Sequence, residues 1–115
     1  MLTVEANTNL HTVIVTVDAS PGIIDDLEHH ARSGLEMFCE FEGFVAGSLH
    51  RSADGARLVQ YLQWTDENAY LGCRDDPRWD QLASAQRFMA HVEAGRATVD
   101  ERAYEVRRVV RSDER

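Results

Sequence analysis

Along this chain the spacing of apolar residues switches between two and three-to-four, and each switch marks an element. His11-Thr-Val-Ile-Val-Thr-Val17 is rich in β-branched residues and predicts a first strand. Asp18-Ala-Ser-Pro-Gly22 breaks it, with Ser20 placed to cap a helix that Pro21 begins. Ile24, Leu27, Ala31, Leu35 and Phe38 then recur at helical spacing to about Glu40. Gly43 ends that segment, and Phe44-Val-Ala-Gly-Ser-Leu-His50 predicts a second strand. Ala53-Asp-Gly55 is a hairpin turn, because Asp-Gly supplies the positive φ angles such turns need. Arg57-Leu-Val-Gln-Tyr-Leu-Gln-Trp64 is the returning third strand, after which Thr65 or Asp66 caps a short helix through Tyr70. Asp76-Pro77 starts a further helix with Trp79, Leu82, Ala85, Phe88 or Met89, and Val92 inward, and Gly95 closes it. Ala97 to Val110 predicts a fourth strand.

The order is βαββαβ, a ferredoxin-like α+β arrangement: a four-stranded antiparallel sheet with helices on one face. Residues 1–10 form a polar lead-in, 11–111 a single domain, and 112–115 a frayed tail. On the third strand Leu58, Leu62 and Trp64 point one way, while Val59 and Tyr61 point the other. Helices cover only one face, so a second copy of the sheet is expected on the other, making a homodimer.

Charge narrows the partners. Twelve basic residues, all arginine, stand against twenty acidic ones, a net charge of −8. That disfavours nucleic acid, whose affinity comes from neutralised phosphates, and the absence of lysine excludes Schiff-base and phosphate-loop lysine chemistry. Cys39 and Cys73 form neither a CxxC pair nor a disulfide framework, which suggests a reducing cytoplasm with Cys39 as core filler. No apolar run approaches the roughly 20 residues of a membrane span, and the N-terminus lacks a secretory pattern.

GxGxxG, GxxxxGK, HExxH, GxSxG and an EF-hand loop are all missing. His29 and His30 lie about 100° apart on a helix, so no metal site is expected of them. Asp25-Asp26 and Asp75-Asp76 read as helix-start and loop charges, and Arg102, Arg107, Arg108 and Arg111 as edge charges. His50 ends the second strand on the face of Phe44 and Ala46, either as a general base or as a solvated strand end. His91 offers less. Gln60, Leu62 and Trp64 share one strand face, and Tyr70 follows on the helix that turns back over it. An amide, an indole and a phenol can thus line one space; a core tryptophan with a satisfied tyrosine is the plain alternative.

Glu42-Gly-Phe-Val-Ala-Gly-Ser-Leu-His50, Ser52-Ala-Asp-Gly55 and Tyr-Leu-Gln-Trp-(x)5-Tyr, in that order, resemble the antibiotic biosynthesis monooxygenase family. Within it the resemblance is to the anthrone oxygenases of aromatic polyketide pathways, over about residues 10 to 110. It implies a dimeric α+β barrel and an oxygenase that acts on a small aromatic substrate with molecular oxygen and no cofactor. In those enzymes an asparagine, a tryptophan four residues later and a tyrosine six further on line the pocket. Trp64 and Tyr70 match, and Gln60 stands at the asparagine position. The resemblance casts Gln60 and Tyr70 as hydrogen-bond donors, Trp64 as wall and N–H donor, and His50 as base. Phe44, Leu62, Trp79 and Phe88 become substrate-binding lining. Leu82 and Ala83 stand where some members carry an arginine, and Arg87, a turn later, is the substitute. A close variant takes reduced flavin from a partner flavin reductase. A different class, a non-redox polyketide-binding or cyclase-like protein, is favoured by the change to Gln60.

Overall fold

The computed structural model describes residues 2–5 and 9–114; Met1, the 6–8 part of the lead-in and Arg115 of the tail lie outside the described residues. Four strands form one antiparallel sheet: β1 (His11–Ala19), β2 (Phe44–Arg51), β3 (Arg57–Trp64) and β4 (Ala97–Tyr104), in the order β2-β3-β1-β4. Three helices, α1 (Pro21–Phe38), α2 (Glu67–Arg74) and α3 (Ala83–Glu93), complete the α+β ferredoxin-like arrangement. None is long and apolar enough to cross a membrane.

The core lies between sheet and helices in two clusters. Val17, Ile24, Leu27, Leu58 and Ala97 form one, and Val13, Phe41, Leu62, Trp64 and Cys73 the other, with Val15 packed against both. Polar side-chain contacts close the helices over it. Arg51 of β2 reaches Asp25 of α1 at 2.6 Å, and His91 of α3 meets Asp26 of α1 at 2.6 Å. The two aspartates read as helix-start charges therefore bind α1 to its neighbours.

Several boundaries differ from expectation. Asp76-Pro77 starts a 3-10 turn, Pro77–Gln81, and the chain is extended at Leu82 (ψ 112°) before α3 begins. Trp79 and Leu82 are therefore not on the stripe of Ala85, Phe88 and Val92, and Met89 is exposed. β4 ends at Tyr104 instead of Val110, one residue short of the start of its partner β1 at His11: the last register pair is Thr12 with Tyr104. Within the tail, Ser112–Glu114 form a 3-10 turn. Cys39 is exposed at the end of α1, and Cys73 is the buried thiol.

The second sheet face carries Thr12, Ile14, Val59, Tyr61 and Gln63. Residues of the lead-in cover one end of it: the Gln63 carboxamide donates to the Thr3 carbonyl at 2.7 Å, and Gln63 and Thr12 are buried.

Candidate active site

β3 supplies the centre. Its unbroken register with β1 puts Leu58, Gln60, Leu62 and Trp64 on the helix-facing side. Trp64 is 0% exposed, its ring enclosed by Phe44 (centroids 5.1 Å apart), Phe38 (5.8 Å) and Tyr70 (6.0 Å). The indole N–H has no acceptor among the described residues. Leaving a buried donor unpaired costs about 1–3 kcal/mol, so the enclosed indole N–H is a donor available to a bound group.

Tyr70 reaches Trp64 because α2 starts immediately after β3. The Asp66 carboxylate accepts the Ala69 N–H at 2.8 Å, capping α2 and fixing where its first turn points. The other side of the Tyr70 ring faces His11 of β1, 5.5 Å away, and β1 register places His11 opposite Trp64. His11, Tyr70 and Trp64 form a continuous row of rings. An open cleft of about 840 Å³ adjoins its His11 end, lined also by Asp66, Glu67, Ala103 and Tyr104.

Gln60 is half-buried, paired across the sheet with Val15 of β1 and Leu49 of β2. It stands on the seam between the two core clusters, two residues from Leu58 of one and Leu62 of the other. Apolar neighbours on both strands make its carboxamide the polar group of that seam.

Comparison with known proteins bears on this arrangement. No family model matches the chain. Tetracenomycin-F1 monooxygenase of Streptomyces glaucescens is 29% identical over 79 residues, spanning 68% of this chain and 70% of the relative. SnoaB, a cofactor-independent oxygenase from Streptomyces nogalater, shares the fold with a TM-score of 0.65 at 19% identity, over 90% of this chain and 98% of its own. A Nitrosomonas europaea protein provisionally described as an antibiotic biosynthesis monooxygenase gives 0.67 at 15% identity, over 92% and 96%. The chain resembles the antibiotic biosynthesis monooxygenases.

The residues that suggested an antibiotic biosynthesis monooxygenase are not all together. Phe44, Leu62, Trp64, Tyr70 and Trp79 share one cluster. Trp79 has a structural occupation there: its N–H donates to the Cys73 carbonyl at 2.8 Å, and its ring stacks on Phe41 at 5.6 Å. Phe88 packs against the other cluster, and Arg87 is exposed on α3. His50 lies elsewhere than expected. A register irregularity between Phe44 and Ala46 separates their faces, so Phe44 points to the helices while Ala46, Ser48 and His50 point away. His50 Nε2 instead sits 2.9 Å from the Ser48 hydroxyl, across the sheet from Trp64.

The remaining titratable groups divide by burial. Desolvation pushes the Cys73 thiol up to about 11, which keeps it protonated and unreactive at neutral pH. His30 is buried at 3.4 Å from Asp26 while His29 is exposed, and no cluster of three potential metal ligands occurs among the described residues. Sequence reasoning missed His11, although antiparallel pairing of the first and third strands already places it opposite Trp64. It also missed Phe38 and Phe41 as the aromatic partners of the two tryptophans.

Proposed function

We propose that this chain is a monooxygenase that oxidises an electron-rich polycyclic aromatic, an anthrone-like polyketide intermediate, with molecular oxygen and without a cofactor. The observation that carries the reading is the Trp64 indole, enclosed by Phe38, Phe44 and Tyr70 with its N–H unmatched, four residues along the same strand face from Gln60. The similarity to tetracenomycin-F1 monooxygenase and the fold shared with SnoaB support it.

The substrate supplies the electrons. A base removes one proton from an anthrone methylene, leaving an anion that passes one electron to oxygen. Substrate radical and superoxide combine, forming the C–O bond of a peroxide, which is protonated to the hydroperoxide. Loss of the second C–H proton and of hydroxide, together one water, leaves a carbonyl and hence a quinone. Overall CH2 and O2 become C=O and H2O. Gln60 and Tyr70 donate hydrogen bonds to the oxygens where negative charge develops, and preorganised donors of this kind contribute the largest share of many rate enhancements. Trp64 donates its N–H and, with Phe44 and Leu62, walls the space against water, so that radical and superoxide recombine before escaping. Trp79 supports that wall from the helix side, while Phe88 lines the neighbouring cluster.

Purified protein given dithranol, a dihydroxyanthrone, is expected to consume oxygen well above the spontaneous rate with no added cofactor. Uptake only when reduced flavin and a reductase are supplied points to the flavin-assisted form. No uptake in either arm sinks the oxygenase reading and leaves the non-redox polyketide binder, which the change to Gln60 favours.

A homodimer belongs to the same proposal. Ile14, Val59 and Tyr61 are half-buried on the helix-free face, and residues 105–111 run beyond the sheet carrying Val106, Val109 and the exposed Val110. A second copy would cover both. Light scattering is expected to return twice the chain mass; a monomer at micromolar concentration contradicts it.

A further inference from the structure

Strand register places one acid where the reaction needs it. Val15 of β1 is the partner of Gln60 on β3 and also of Glu101 on β4. Leu49, Gln60, Val15 and Glu101 therefore form one row across the helix-facing side of the sheet. The parity of β4 is fixed by Ala97, buried in the core cluster opposite Ala19, and by Val99 opposite Val17. Gln60 and Glu101 are two strand spacings apart, roughly 10 Å. A fused polycycle is long enough to bridge that span, with an oxygen at Gln60 and its acidic hydrogen toward Glu101.

We propose that Glu101 is the general base of the oxygenase, taking the methylene proton that converts the bound anthrone to its anion. The inference rests on the oxygenase reading and gives the role of base to a group on the Trp64 side of the sheet, which His50 is not.

The surroundings suit the task. Partial desolvation of the carboxyl raises Glu101 above the ordinary glutamate range, making it a stronger base than a fully solvated carboxylate, while the residue as a whole is exposed on β4 and open to exchange with water. Competing charges are engaged elsewhere. Across β1 stand Val13, Val15 and Val17. Asp100 and Arg102 pair with each other at 2.8 Å on the opposite face. On α3, His91 is held between Asp26 and Arg96. His11 and Glu105 line the cleft beyond Ala103, where a water-borne proton can leave.

The transfer is balanced. The substrate loses H+ to the Glu101 carboxylate, and the resulting carboxylic acid returns it to the peroxide anion after oxygen adds. No other reagent is consumed.

Dithranol bound under nitrogen at pH 7 is expected to show the absorbance of its anion with the wild type and of its neutral form with Glu101→Gln. Oxygen uptake by the variant should fall about a hundredfold and recover at a pH where dithranol ionises unaided. In the wild type the acid limb of kcat/KM should fall above the ordinary glutamate range, because the deprotonated carboxyl is the active form. Should Glu101→Gln melt early, Glu101→Asp, which keeps the charge but withdraws it, is expected to retain anion formation in part. No anion on the wild type, or the same anion on Glu101→Gln, overturns the assignment. Absence of oxygen uptake by the wild type defeats the oxygenase reading separately, since the anion is read without oxygen.

Discussion

Gln60→Ala is expected to lower oxygen uptake with dithranol by about 10²–10³-fold, the usual cost of removing one preorganised donor from a developing oxyanion. The melting temperature should stay within a few degrees. Gln60 is half-buried between Val15 and Leu49, and truncating a lone carboxamide among apolar neighbours removes a polar group without stranding a partner. Catalysis and stability therefore separate cleanly at this position. Gln60→Asn keeps the carboxamide but draws it back by one methylene. A misplacement of about 1 Å can itself cost about 10²-fold, so this variant is expected between wild type and Gln60→Ala. The kcat–KM split adds a check: a donor that acts on the developing charge lowers kcat, whereas one that merely holds the substrate raises KM. Turnover unchanged in Gln60→Ala would move the site away from the seam between the two core clusters.

What the sequence made legible was whatever depends on local period. The β-branched run of β1, the Asp-Gly turn before β3 and the α1 stripe of Ile24, Leu27 and Ala31 each announce their element, and their order limits the fold to few alternatives. Gln60, Leu62 and Trp64 fall on one face because a strand alternates strictly. Properties set by a neighbouring element were hidden. His50 changes face because β2 is irregular between Phe44 and Ala46, and nothing in Phe44-Val-Ala-Gly marks that place. β4 stops at Tyr104 one residue short of the start of β1 at His11, a limit written in another strand. The helix expected from Pro77 splits at Leu82, since Asp76 caps a 3-10 turn whose Arg78 N–H it holds at 2.8 Å. Glu101 resembles any edge-strand charge until register aligns it with Gln60. The site was thus legible as a pattern on one strand, while its far wall required the sheet.

Gly43→Ala is expected to destabilise the fold by about 3–5 kcal/mol, a large part of the roughly 5–15 kcal/mol that holds a domain of this kind. Two costs combine. Gly43 has φ +87°, in the left-handed region, where a Cβ costs about 1–2 kcal/mol. The new methyl would also overlap Ala69 Cβ and lie 2.7 Å from Thr65 Oγ1, and a Cβ cannot yield without moving its helix backbone. That crowding cannot be spread over flexible side chains, because Gly43 is tied into the corner: its carbonyl accepts the Thr65 N–H at 2.8 Å. Thr65 follows Trp64 and Ala69 precedes Tyr70, so the same corner sets the distance between indole and phenol. A melting-temperature drop of more than roughly 10 °C is expected, together with reduced oxygen uptake at temperatures where the variant is still folded. Gly72→Ala is the matched control. A methyl there meets nothing within 4 Å on the exposed side of α2, and exchanging helical glycine for alanine should stabilise by up to about 1 kcal/mol. Equal melting temperatures for Gly43→Ala and wild type would mean that the corner between α1 and β2 relaxes freely, and that Tyr70 owes its place beside Trp64 to the Asp66 cap instead.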